Sequence, residues 1–245
     1  MIHCEGAYGG HLQGIAADDA ALYWSFTVSL VKTGLDGMLL RRIDVPSHHG
    51  DLCVHDGKVY VAVNLGKFNE EPGQADSWIY IYNAADLSLM EKHAVPEVVH
   101  GAGGMDKAEG HYFVVGGLPA SHTQNYVYEY DAAFVFVRRH VLESGPTRLG
   151  IQTACHAGNG WWFGCYGAPA VSLQTDEKLG QVTRHSVDLS LGIGRHPDGS
   201  LLRGVGQRVP GKQLWTGRME RVELPGPGGL RSRRGAQREP ALQAA

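Results

Sequence analysis

The sequence predicts an all-β chain wound into a ring of four-stranded antiparallel blades, and three observations predict it. Strand–turn–strand segments recur at a spacing of roughly 40–50 residues. Gly supplies 34 of the 245 residues, about double the usual share of roughly 7%; it sits with Asn and Asp between short apolar runs and shows no triplet period. No stretch carries the sustained 3.6-residue apolar period of a helix. Four strands per repeat at this period is the pattern of a β-propeller blade, and five copies give a five-bladed β-propeller.

The outer hairpins show the repeat most plainly. They run 30–37 with 38–45, 80–85 with 89–95, 128–133 with 135–141, and 173–176 with 181–187, each turning on Asn, Asp or Gly. Basic residues recur on the last strand of each: Arg41-Arg42, Lys92-His93, Arg138-Arg139-His140 and Arg184-His185. Charged edge strands resist edge-to-edge pairing. An inner hairpin precedes each outer one, as in 50–63 around His55-Asp56-Gly57 and 150–166 around Ala157-Gly158-Asn159-Gly160. A fifth copy spans 192–205, so that Tyr23, Tyr60, Tyr112, Phe163 and Leu202 are equivalent second-strand positions. That copy is one strand short: 213–219 reads as its third strand. The segment 2–8 supplies the missing outer strand, so an N-terminal strand closes the last blade and removes two exposed edges.

Composition bounds the rest. With 43% apolar and 19% charged residues, the chain can bury a full core in one domain, read here as 1–224. A formal net charge of −3 argues against a nucleic-acid binder, and the apolar runs fall far short of the ~20 residues of a membrane helix. The start Met1-Ile2-His3-Cys4-Glu5-Gly6 lacks the features of a signal peptide, which points to the cytoplasm unless the chain is N-terminally truncated. The segment 225–245, Pro/Gly-rich and then Arg-rich, reads as a disordered basic tail. Cys4, Cys53, Cys155 and Cys165 form no CxxC pair and read as buried free thiols. Oligomeric state is not legible.

Propeller geometry locates the chemistry. The segment leading into each innermost strand and the loop joining strands two and three open on one face, so residues there converge. Twelve residues before Tyr23, Tyr60 and Tyr112 stand His11, His48 and His100. Three imidazoles in one register suit a divalent ion such as Zn²⁺, Mn²⁺ or Fe²⁺. The same rings, with His49, are candidate acid/base catalysts; alternation along the strand lets only one of His48 and His49 face the channel. Gln13, Asp51, Lys67, Asn69, His122, Gln152 and Tyr166 are candidate substrate-binding groups on the same face. The bland alternative is that these rings close the channel with backbone and water. The turn residues His55, His111, His156 and His196 read as solvated side chains of the opposite face, and the tryptophans as packing between blades, with a sugar-stacking platform as the alternative.

Over 1–224 the repeat resembles NHL-like and gluconolactonase-like propellers and the five-bladed glutaminyl cyclotransferases. The gluconolactonase-like resemblance implies a divalent ion at the channel mouth, held in that group by carboxylate and Asn ligands where this chain has His and Gly. Propeller polysaccharide lyases with His-rich metal sites are similar in site chemistry. A hydrolase or lyase acting on a small molecule or carbohydrate is therefore the leading expectation, with no GxSxG elbow and no phosphate-binding loop in the chain. The alternative is a non-catalytic propeller that binds a small-molecule, sugar or protein partner through the same face.

Overall fold

The structure, a computed structural model, describes residues 1–223. Its 21 strands form five sheets, each with four strands in its main order. Two short strands, β1 (Ile2–His3) and β2 (Tyr8–Gly9), come first. Blade one follows as β3 (Leu12–Ala17), β4 (Leu22–Phe26), β5 (Ser29–Thr33) and β6 (Leu39–Asp44). Blade two is β7 (His49–His55), β8 (Lys58–Asn64), β9 (Ser77–Asn83) and β10 (Leu89–Ala94). Blade three is β11 (Ala102–Ala108), β12 (His111–Gly116), β13 (Asn125–Tyr130) and β14 (Phe136–Leu142). Blade four is β15 (Arg148–His156), β16 (Gly160–Tyr166), β17 (Val171–Asp176) and β18 (Thr183–His185). Blade five contains β19 (Ile193–Arg195), β20 (Leu201–Arg208) and β21 (Leu214–Val222).

Every neighbouring pair within a blade is antiparallel, and the fifth blade is completed from the other end of the chain. Ile2 pairs with Met219 and His3 with Arg218, while Tyr8 pairs with Trp215. The inner strands close a ring: β3 packs on β7, β7 on β11, β11 on β15, β15 on β19, and β19 on β3. The chain is thus a five-bladed propeller sealed by its N-terminal strand. No helix is long and apolar enough to cross a membrane among the described residues. The expected tail at 225–245 lies outside the described residues.

The core lies between the blades, in five apolar clusters for five interfaces. Tyr23 and Leu30 meet Tyr80 and Tyr82 between blades one and two. Ile79 and Ile81 meet Tyr112, Tyr128 and Tyr130 between two and three. Val115 and Val127 meet Trp161 and Phe163 between three and four. Trp24 and Phe26 meet Leu202 and Met219 between five and one. The cluster between blades four and five is small, built on Cys155, Ala157, Trp162, Leu189 and Ile193. All four cysteines are free and buried.

The recurring outer-strand cations have a local partner. Lys92 Nζ lies 4.5 Å from the Tyr80 ring centroid, Arg139 lies 4.5 Å from that of Tyr126, and Arg42 lies 5.6 Å from that of Tyr8. Arg138 and His140 pair with the buried Glu129 at 2.8 Å each. These edges therefore carry charge that also covers aromatic faces.

Candidate functional site

His11, Gln13, His48 and Tyr166 meet at one mouth of the channel. His11 lies just before β3, Gln13 is the second residue of β3, His48 precedes β7, and Tyr166 ends β16. The Gln13 amide nitrogen lies 2.7 Å from His11 Nε2 and 2.9 Å from His48 Nε2, donating to both rings. It also lies 3.3 Å from Thr27 Oγ1. Tyr166 Oη lies 3.2 Å from His11 Nε2. With both Nε2 atoms accepting, the ring protons sit on Nδ1, and His48 Nδ1 is buried without a partner. Burial, and then the nearby His11, hold His48 down at about 4; burial alone lowers His11. Both rings are neutral at pH 7. The Trp215 ring lies 5.9 Å from that of His11, forming an aromatic wall.

His100 does not join this pair. Phe68 projects from the 65–76 loop against the His48 ring, at 5.1 Å between centroids, and covers Gly101, where a Cβ would collide with it. Gly101 has φ +102°, a conformation that glycine adopts without strain. Beyond Phe68, His100 meets His122 and Glu71. The two rings are 5.4 Å apart, and His122 Nε2 lies 2.9 Å from Glu71 Oε2. His100 Nδ1 binds the Glu70 carbonyl at 3.1 Å, and His122 Nδ1 faces Tyr126 Oη at 3.3 Å. Among the described residues, two groups bring three ligand atoms within 4.8 Å: Glu71, His100, His122 and Cys53, His55, Asp106. Neither contains His11 or His48, so the trio expected to share one ion is divided. The Phe68 ring packs against His48 and over Gly101, the neighbour of His100.

The other expected site residues separate into roles. His49 is fully buried and turned away from the mouth, with Nδ1 2.8 Å from the Pro46 carbonyl and Nε2 2.7 Å from Tyr82 Oη. His48 is therefore the ring that faces the channel. Asp51 is fully buried at the hub, where Oδ2 accepts from the Ala154 N–H at 3.1 Å. Burial raises its carboxyl well above the usual range, against the pull of backbone amides. Asn69 pins the loop to blade three: its Oδ1 accepts from Leu118 N at 2.8 Å, and its N–H donates to the His100 carbonyl at 3.1 Å. Lys67 is exposed on the same loop. Gln152 donates to the Leu149 carbonyl at 2.7 Å. Of these, Lys67 and the Gln152 Oε1 are left to meet a ligand among the described residues.

Comparison with known proteins supports this architecture. No family model and no curated protein matches the chain. Among solved structures, it is similar to a protein of unknown function from Bacteroides caccae, with a TM-score of 0.51 and 15% identity over 81% of this chain and 71% of that one. It is also similar to a chain of a nidogen/laminin complex, with a TM-score of 0.50 and 14% identity over 75% of this chain and 67% of that one. At these identities the likeness shows the fold alone.

At the opposite mouth, the turn histidines are bonded rather than free in solvent. His55 Nε2 lies 3.0 Å from Asp106 Oδ1. His111 pairs with Glu129 at 2.7 Å, His156 with Glu177 at 2.6 Å, and His196 with Asp198 at 2.9 Å. Sequence reasoning missed Glu71 and His55. The available signals were the Glu70-Glu71-Pro72-Gly73 stretch in a long loop and the Cys-x-His spacing at the end of β7.

Proposed function

We propose that the protein is a metal-assisted hydrolase or lyase acting on a small polar or sugar ligand at the mouth that carries His11 and His100. The cation is held by His100, His122 and the Glu71 carboxylate. One observation carries the reading: both imidazoles have Nδ1 already engaged, by the Glu70 carbonyl and by Tyr126 Oη. Metal-bound histidines are oriented in this way by a partner on the second nitrogen. The Glu71–His122 contact marks where an ion would replace a proton. Two His and one carboxylate form a recurrent set for catalytic Zn²⁺, and with open positions also for Fe²⁺; imidazole and carboxylate also suit Mn²⁺. Such a site leaves room for water and a substrate oxygen. Across Phe68, Gln13 and Tyr166 would receive hydroxyl groups, and Trp215 offers a stacking face for a sugar ring. Lys67 extends from the same loop toward an anionic group.

The test is Mn²⁺ binding followed by electron paramagnetic resonance on chelator-stripped protein. Wild type is expected to bind one ion, and His100→Ala, His122→Ala and Glu71→Gln each to weaken binding by tenfold or more. Unchanged affinity in all three variants overturns the assignment. Turnover of sugar lactones, glycosides and uronate oligosaccharides by the loaded protein then separates catalysis from binding. The second reading, a non-catalytic ligand-binding propeller, draws on Gln13, which already satisfies Nε2 of both His11 and His48 without a substrate. Metal binding with no turnover of any class would favour it.

A further inference from the structure

The other end of the channel carries a separate cluster. A cavity of about 60 Å³ opens there, and Cys53, His55, Asp106, Cys155 and Arg195 are among its lining residues. We propose that this mouth is a second cation site, of the Zn²⁺ class, ligated by Cys53 Sγ, the His55 imidazole and the Asp106 carboxylate. It shares no residue with the Glu71 group and does not depend on it.

The strands build this site without any special loop. Cys53 and His55 are two residues apart on β7, so alternation sends both to the side facing blade three. Leu52 and Val54 point the other way, into the core shared with blade one. β7 ends at His55 because Asp56 and Gly57 turn back with φ 51° and 70°, a pair suited to a two-residue hairpin turn. Asp106 comes from β11, which packs directly on β7.

The Asp106 carboxylate is held ready from behind. Its Oδ1 accepts from the Lys107 N–H and its Oδ2 from the His156 N–H, both at 2.7 Å. Its position therefore does not depend on the contact with His55. That anchoring is the outer-shell support that fixes a ligating carboxylate. Thiolate, imidazole and carboxylate are all zinc ligands, and the thiolate biases the site away from Mg²⁺, Ca²⁺ and Mn²⁺. The cavity has room for an ion and a water.

Charge around the site is mixed. Lys107 turns away, its Nζ 5.7 Å from the Tyr60 ring centroid and 5.5 Å from that of Tyr112. Arg195 is exposed at the rim, where solvent screens it. A cysteine without a metal is a thiol at neutral pH. Binding then exchanges a proton for the ion: the S–H bond breaks, the sulfur–metal bond forms, and one proton leaves to solvent. His55 moves its ring proton from Nε2 to Nδ1 as Nε2 turns from Asp106 to the metal.

Cobalt(II) added to the full chain tests the proposal, because a thiolate-to-cobalt charge-transfer band requires a cysteine ligand and the upper group has none. The expected result is one such band at saturation. It should vanish in Cys53→Ser, weaken at least tenfold in apparent affinity in His55→Ala, and survive Cys155→Ser and His100→Ala. Circular dichroism and metal-free melting control for folding. His55 ends its strand and is only half-buried, so His55→Ala remains informative if Cys53→Ser does not fold. Absence of the band at saturating cobalt, or its survival in both Cys53→Ser and His55→Ala, overturns the proposal.

Discussion

At the scale of single residues, the channel is organised around Asp51. Sequence reasoning placed it among ligand-binding groups because it follows His48 and His49 on the strand leading inward. In the structure it is the hub. A Cβ at Gly14 would collide with Asp51 Oδ1 and Cα, and a Cβ at Gly104 would come 3.2 Å from Asp51 Cβ. Inner strands from blades one and three therefore approach Asp51 as only glycine allows, while blade four donates the Ala154 N–H. Burial favours the protonated carboxyl, so a neutral isostere should be tolerated and a change of volume should not. Asp51→Asn is expected to alter stability by less than about 1 kcal/mol at pH 4, where the contribution of the wild-type carboxyl is still present, and to be no less stable than wild type at pH 7. Gly14→Ala is expected to cost at least about 1–3 kcal/mol, because the collision is with backbone as well as side chain. Urea denaturation compares them, and an Asp51→Asn loss as large as that of Gly14→Ala would contradict this account. The same comparison shows what was legible. The register of His11, His48 and His100 was legible, since strand alternation and blade period are properties of sequence. Their separation was not legible, because His100 faces the 65–76 loop, whose path is fixed by Asn64, Asn69 and blade three.

At the scale of elements, the blades are alike in strand pattern but unequal in packing. The repeat was readable because turn residues and apolar alternation recur locally, and the closing strand because the last copy was short. Interface strength was less readable, since it depends on side chains from two blades. The interface between blades four and five rests on Trp162, Leu189, Ile193 and small residues. Its inner strand β19 has only three residues. Sub-global opening starts where buried apolar contact is least. Hydrogen exchange should therefore show the β19 amides, with those joining β19 to β20, exchanging at least tenfold faster than those of β8 and β12. Equal protection of β19, β8 and β12 would rule this out. β21 should stay protected on its outer side because β1 and β2 pair with it.

At the scale of the whole molecule, buried titratable groups set a stability dome against pH. His48 and His49 both have folded values lowered to about 4, mainly by burial. A histidine held neutral contributes fully above its unfolded value of about 6.5 and loses that contribution as pH falls toward the folded value. At about 1.4 kcal/mol per unit, the loss is up to about 3 kcal/mol for each ring. Asp51 has the opposite sign: its folded value is raised, so its contribution is complete below the ordinary carboxyl range and is lost as pH rises. On the alkaline side, burial raises Cys4, Cys165 and Tyr128 to about 12. Their contributions are present at neutral pH and are lost as pH climbs from about 9 toward 12. The predicted profile rises from pH 4 to 7 and falls above about pH 9. Asp51→Asn isolates the opposing group: without a carboxyl to ionise, its acid limb should be steeper and its plateau higher relative to pH 4 than in wild type. Urea midpoints at unit pH intervals for both proteins measure this. A wild-type midpoint that falls between pH 4 and 7, or parallel profiles for the two proteins, would mean that the neutral imidazoles and the hub carboxyl do not govern stability.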